Sequence, residues 1–228
     1  MTPSIVIHRT VDRCPDEIQT QIDSAWDTLC AGNPRYFNAP ILCFGSYDDA
    51  TGVIRATLEE YKNHAVRDSI NLNHSLLAVT GVLQARGREG QTMYFVGKRS
   101  PSTHRYGHLW EFGPCGGIDV PDSDHMTVDD IIAELGRETL EEAGFVMGSA
   151  EASPIALVHD DRVGSTDIVL RVTLPSIPEM STGWEYSDAR WIEHDELFKW
   201  MARRPNDFIP TARPIMSLLD DPGATIIR

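Results

Sequence analysis

Cysteine is scarce and scattered: Cys14, Cys30, Cys43 and Cys115 are the four in 228 residues, and no two form a CxxC pair. That spacing excludes a disulfide framework and a thiolate zinc site, and it suits a reducing compartment. Long apolar runs are missing as well. Ahead of His8 and Arg9 stand only Ile5-Val6-Ile7, too short for the apolar region of a signal peptide. No run elsewhere approaches the roughly 18 apolar residues of a membrane span, so a soluble, cytoplasmic protein is expected. Basic residues are also in short supply, 20 Lys and Arg against 34 Asp and Glu, for a net charge of −14. An acidic surface of that kind argues against a general affinity for nucleic acid or an anionic membrane. What is present, 41% hydrophobic and 24% charged residues, describes an ordinary globular chain with a core to bury.

The charge is unevenly spread. Residues 75–110 carry +4, whereas 111–151 carry −10, eleven acids against the single Arg137. Around this contrast, the apolar pattern predicts elements in a mixed order. A helix is expected from about Cys14 to Cys30, with Ile18, Ile22, Ala25, Trp26 and Leu29 at helical spacing, ended by Asn33-Pro34. Short strands follow at Ile41–Phe44 and Val53–Leu58 around a turn, then at Ser75–Gln84, Thr92–Lys98 and Leu109–Phe112. The run Gly113-Pro-Cys-Gly-Gly117 demands a sharp turn or a close approach. Later strands are expected at Ile155–Val158, Asp167–Leu174 and Ala189–Ile192, and a short helix at Asp195–Arg203. The lack of strict strand-helix alternation favours an α+β layering with a mixed sheet.

Residues 127–143 predict a helix with Thr127 as N-cap, Asp129 and Asp130 in the first turn, and Gly144 closing it. At about 100° per residue, Val128, Ile132, Leu135, Thr139, Leu140 and Ala143 share an arc expected to face the core. Glu134, Glu138, Glu141 and Glu142 crowd another arc, with Arg137 as their basic neighbour. Like charges at i,i+3 and i,i+4 cost about 0.2–0.5 kcal/mol per pair, and here they sit near the negative end of the helix dipole. A solvated acidic face is the ordinary reading of such a run. A hard divalent cation, which prefers carboxylate oxygens and phosphate, would relieve the repulsion.

The stretch Arg137-Glu-Thr-Leu-Glu-Glu-Ala-Gly-Phe145 resembles the core of the Nudix box, R-E-U-x-E-E-x-G-U, and Trp110 to Asp119 resembles the strand and glycine turn that lead into it. Three positions depart from the pattern: Asp129 and Ser123 stand where the family has Glu and Gly, and Thr139 stands at an aliphatic position. The resemblance covers about 75–200. It implies a Nudix-type α/β/α sandwich over residues 75–228; the helix and strands expected before it make residues 1–74 a small N-terminal αβ extension, a candidate contributor to substrate recognition. It also implies hydrolysis of a nucleoside diphosphate linked to another group, with Mg²⁺ or Mn²⁺ as cofactor. Glu138, Glu141 and Glu142 would hold the metal, Arg137 would orient a carboxylate, and Gly117 would offer its carbonyl. Glu185, in Gly-Trp-Glu-Tyr, is the candidate base beside the plainer reading of a solvated loop acid.

In the basic segment, Lys98, Arg99 and Arg105 are candidate phosphate ligands, since a guanidinium grips phosphate bidentately. His104, His108 and His125 lack ligand spacing and read as surface residues. Trp26, Asn33 to Pro40, Leu58 to Lys62 and Asp160 to Thr166 resemble the animal Nudix branch that cleaves UDP-glucose and UDP-galactose to UMP and the sugar 1-phosphate. Trp26, Tyr36 or Phe37 would then stack on uracil, or all three simply pack. The implied partner is a small nucleoside diphosphate derivative, with neither nucleic acid nor membrane, in a monomer or homodimer. ADP-ribose, dinucleoside polyphosphates and modified nucleotides stay open as substrates, as does a non-catalytic Nudix-like binding module.

Overall fold

The structure is a computed structural model that describes residues 3–9, 14–33, 35–70, 72–220 and 226–227. Pro34, expected to help end the first helix, lies outside the described residues. In chain order the elements are β1 (Ser4–His8), α1 (Asp16–Gly32), β2 (Pro40–Asp48), β3 (Val53–Glu60), α2 (Tyr61–Ala65) and α3 (Arg67–Ile70). Next come β4 (Leu76–Arg86), β5 (Thr92–Arg99), β6 (Trp110–Phe112), β7 (Cys115–Gly117), β8 (His125–Met126) and α4 (Val128–Glu138), which runs into a π-helical turn (Thr139–Ala143). The chain continues through β9 (Glu151–Asp160), β10 (Ser165–Leu174), β11 (Tyr186–Glu193), α5 (His194–Arg203), α6 (Ala212–Asp220) and β12 (Ile226–Ile227). Contacts divide it into two compact units: Met1–Leu77 with Gly117–Val128 and Asp161–Thr166, and Ala78–Gly116 with Asp129–Asp160 and Asp167–Arg228.

In the first unit, β2 and β3 form the expected antiparallel hairpin. Asp48 shapes its turn, accepting from the Ala50 amide at 2.9 Å, and Gly52 takes the positive φ of 74° that the turn requires. The short apolar run Ile5-Val6-Ile7, not expected as an element, is the strand β1; it pairs parallel with β3 and antiparallel with β8. Residues 117–128 are tied in where Arg9 meets Asp124 and the carbonyls of Pro121 and Ser123, and residues 161–166 where Leu76 N–H donates to Gly164 O at 2.7 Å. Helix α1 buries Ile22 fully, and its Trp26 packs on Tyr36 and Tyr61 with ring centroids 5.9 and 6.1 Å apart.

The second unit follows from strand alternation, because successive residues point to opposite faces. Val82 of β4, Tyr94 and Val96 of β5, and Trp110 and Phe112 of β6 join one apolar cluster with Leu197 and Met201 of α5 and Ile215, Met216 and Leu219 of α6. Their neighbours face the other way. A Cβ on Gly81 would meet the Leu135 side chain of α4 at 3.0 Å, and the Phe95 ring packs edge-on against Phe145 at 6.4 Å. Helices thus cover both faces of a mixed sheet in which β5 pairs antiparallel with β4, β6 and β11, and β12 pairs parallel with β9. This is the expected layering. Helix α6 arises from the stretch after Pro205, where no element was expected.

The expected helix over 127–143 is present but changes pitch at Thr139, and its buried face differs from the expected arc. Ile131, Leu135, Glu138, Thr139, Glu142 and Ala143 are buried, while Leu140 is 53% exposed. At about 100° per residue Leu140 lies roughly 120° from Val128, at the rim of the arc and furthest from Leu135, so it turns outward.

One buried polar group of the first unit titrates. His74 Nε2 lies 2.9 Å from Glu59 Oε2, and Asn63 Nδ2 donates to the same oxygen at 3.0 Å. Burial alone would raise the Glu59 carboxyl, but these hydrogen bonds and the His74 charge hold it below its ordinary value. A depressed carboxyl stabilises the fold above its ordinary pKa, and that gain disappears as pH falls through the folded value. Glu59→Gln is expected to lose about 1–3 kcal/mol at pH 7. Thermal unfolding from pH 7 to pH 3 should show the gap to wild type closing in acid; a constant gap contradicts the assignment.

Candidate active site

The acidic face of the second unit is assembled from three places. Helix α4 and its π-helical turn supply Glu138, Glu141 and Glu142. Strand β6 supplies Glu111: with Trp110 and Phe112 in the apolar cluster, the residue between them must project to the other face, opposite Gly97 in the register. The loop before β11 supplies Glu185. Carbonyls at a helix C-terminus need partners, and here Ser181 N–H donates to Ala143 O at 3.0 Å and Gly183 N–H to Glu142 O at 2.9 Å. Gly144 ends the helix with φ 74°, and Gly183 must be bare because a Cβ would lie 2.5 Å from Glu141 O. Glu185 O then accepts from Ser100 N at 2.7 Å, so this loop is held at the helix end and at the edge of β5.

Burial decides the electrostatics. Glu111 is 1% exposed, Glu142 2% and Glu138 7%. Glu142 Oε2 accepts the Cys115 N–H at 3.0 Å, and the Glu138 carboxylate lies over Gly116, where any Cβ would overlap it. Arg137 donates to Glu138 at 2.7 Å, Glu141 at 3.2 Å and Glu134 at 3.3 Å. Burial, with the charges of Glu141 and Glu185 added and Arg137 opposing, pushes Glu138 up to about 7. Burial and the charges of Glu185, Glu111 and Glu138 push Glu142 well above the carboxylate range. Glu185 is also raised, by burial and by Glu111 and Glu141, against the pull of Arg99 and a hydrogen bond with Glu142.

The basic groups that act on these carboxylates are Arg99 and Arg137. Six carboxylates (Glu111, Glu134, Glu138, Glu141, Glu142 and Glu185) are set beside these two guanidiniums, so the acids named here outnumber the bases named. Hard oxygen donors with surplus negative charge fit Mg²⁺ in kind. Among the described residues, no three His, Cys, Asp or Glu side chains stand close enough to ligate one ion as they are now turned. Ligation by Glu138, Glu141 and Glu142 therefore requires side-chain rotation.

Strand alternation separates the basic candidates. Arg99 faces the carboxylates: its Nη1 donates to both Glu111 oxygens, at 2.8 and 3.0 Å, and its Nε donates to Arg105 O at 3.0 Å. Lys98 points the other way, its ammonium 5.9 Å from the Trp110 ring centroid. Arg105 contributes its carbonyl to Arg99, within a loop where Tyr106 and His108 adopt positive φ, 53° and 71°. Gly117 belongs to the first unit, where a Cβ would meet the Leu76 side chain at 3.6 Å. Glu111 was not among the expected site residues; an acid between two aromatics in a short apolar strand was the signal for it. Removing Arg99 leaves a buried charge unpaired, so Arg99→Met is expected to cost about 3–5 kcal/mol in urea unfolding without any ligand. A loss under about 1 kcal/mol would show that the pair does not support the fold.

No protein-family model matches the sequence, and no curated protein matches it. Solved structures do. A Nudix hydrolase from Alicyclobacillus acidocaldarius aligns with a TM-score of 0.51 at 14% identity, covering 64% of this chain and 90% of that one. RenU, a Nudix hydrolase from M. smegmatis, aligns at 0.49 and 17% identity over 69% of this chain and 93% of that one. The Nudix domain of Shewanella oneidensis NrtR, complexed with ADP ribose, aligns at 0.49 and 18% over 72% and 98%. The first of these alignments shows the fold: this chain has the Nudix fold.

Proposed function

We propose that the chain is a Mg²⁺-dependent hydrolase of a nucleoside diphosphate linked to another group, with a UDP-sugar as the leading substrate, cleaved to UMP and the sugar 1-phosphate. The observation that carries this is the surplus of buried carboxylate charge around Glu138 and Glu142, on a chain with the Nudix fold. Buried acids with few bases beside them are costly unless they are protonated or paired with a cation. The UDP-sugar assignment rests on the sequence resemblance; Trp26 packs on Tyr36 and on Tyr61 within the first unit. The reading keeps the cytoplasmic placement. The four cysteines are free, and no described helix is long and apolar enough to cross a membrane.

In this reading Glu138, Glu141 and Glu142 hold the metal, with Mn²⁺ as a substitute. The ion, when bound, supplies charge to the phosphoryl oxygens and polarises water. Arg137 keeps Glu138 and Glu141 oriented through its two terminal nitrogens. Glu185 is the base: burial and the neighbouring acids raise its carboxyl above the ordinary value, which strengthens it as a proton acceptor. It takes the proton of the water that attacks phosphorus in the P–O–P bridge.

The test is a panel of UDP-glucose, UDP-galactose, ADP-ribose, a dinucleoside tetraphosphate and an oxidised nucleoside triphosphate, each with Mg²⁺ and with chelator. UDP-sugars are expected to release UMP only with the metal. Glu142→Gln and Glu141→Gln are each expected to slow this by about 10²–10⁴-fold. A wild-type protein inactive on every member is a binding module instead, and a variant with full activity removes its residue from the metal site.

A further inference from the structure

Tyr186 is 4% exposed, and its hydroxyl has no hydrogen-bond partner among the described residues. An unpaired buried hydroxyl costs free energy that a phenylalanine would not. The surroundings nevertheless make room for it. The ring lies over Gly97 and packs on Phe95 with centroids 6.1 Å apart, and a Cβ on Gly97 would overlap the ring. A Cβ on Gly113 would overlap the hydroxyl itself. Two bare positions thus accommodate the phenol, and the second accommodates only its oxygen.

That oxygen lies against Gly113, where a Cβ would also come within 3.6 Å of Cys115 N, the amide that Glu142 accepts. Arg99 and Glu111 are paired with each other, and Glu142 holds the Cys115 amide through Oε2. The Tyr186 hydroxyl has no partner among the described residues. Among the described residues no three such side chains stand together as a metal site, so Glu142 would have to turn to join one. We propose that Tyr186 is a positioning residue: when the cation is bound, its O–H donates to the Glu142 carboxylate and fixes the angle at which Glu142 presents an oxygen to the ion. The inference rests on the metal-dependent reading above. Hydrogen bonds behind metal-bound carboxylates commonly set affinity in this way.

Tyr186→Phe keeps the ring and removes only the donor. The metal-free variant is expected to unfold at the wild-type temperature or above it, because the hydroxyl had no partner to lose. Its Mn²⁺ affinity, measured by calorimetry on the full chain, is expected to fall about 10-fold or more. In the hydrolysis assay kcat should fall with KM unchanged. Mn²⁺ affinity within twofold of wild type overturns the proposal, as does a lowered unfolding temperature, which would show that the hydroxyl is satisfied in the free protein. Wild-type protein that binds no Mn²⁺ overturns the metal-dependent reading itself, which separates the two failures.

Discussion

Three carboxylates, Glu111, Glu138 and Glu142, are taken almost fully out of water on one face of the second unit, and the guanidiniums there are too few to neutralise them and their neighbours. Isolated buried charges are among the most expensive features a fold can carry. Arg99 answers Glu111 directly, and Arg137 is shared by Glu134, Glu138 and Glu141. Glu142 accepts the Cys115 amide and shares a hydrogen bond with Glu185. Bare Gly116 leaves room for the Glu138 carboxylate, and the Ser181 and Gly183 amides close the helix end beside Glu142.

The scaffold achieves this with simple periodicities. The alternation of β5 and β6 sends Tyr94, Val96, Trp110 and Phe112 into the apolar cluster under α5 and α6, and by the same rule sends Phe95, Gly97, Arg99 and Glu111 to the acidic side. On α4, Ile131 and Leu135 anchor the helix, and Glu138 and Glu142 follow on the same stripe at spacings of three and four. The pitch change over Thr139–Ala143 falls between these two acids, as π-helical turns often do at functional sites. The apolar side therefore bears the energetic load that lets the acidic side be unfavourable.

Much of this was legible in the residues. The run Arg137 to Phe145 identified the acidic helix, and its charge excess pointed to a cation. What the wheel could not show was which acids turn inward, because an arc drawn from apolar residues included Leu140 and excluded Glu138 and Glu142; burial of a charged group depends on what lies across from it. Glu111 carried only a faint signal, an acid between two aromatics, because a three-residue strand is too short for alternation to be read. Tyr186 had no signal beyond its place beside Glu185. The strand β1 was missed because three apolar residues acquire meaning only through pairing with β3, a contact distant in sequence. Lys98 and Arg99 read alike in the chain, and only the strand assigns them opposite faces.

The central claim is that a divalent cation offsets the surplus charge of the acidic face. A ligand that binds only the folded state stabilises it, by about 2.7 kcal/mol at a concentration a hundred times its Kd. The direct measurement is the thermal unfolding midpoint in MgCl₂ against NaCl of equal ionic strength. The account predicts a saturable rise in MgCl₂ that chelator reverses; equal midpoints in the two salts at every concentration would contradict it.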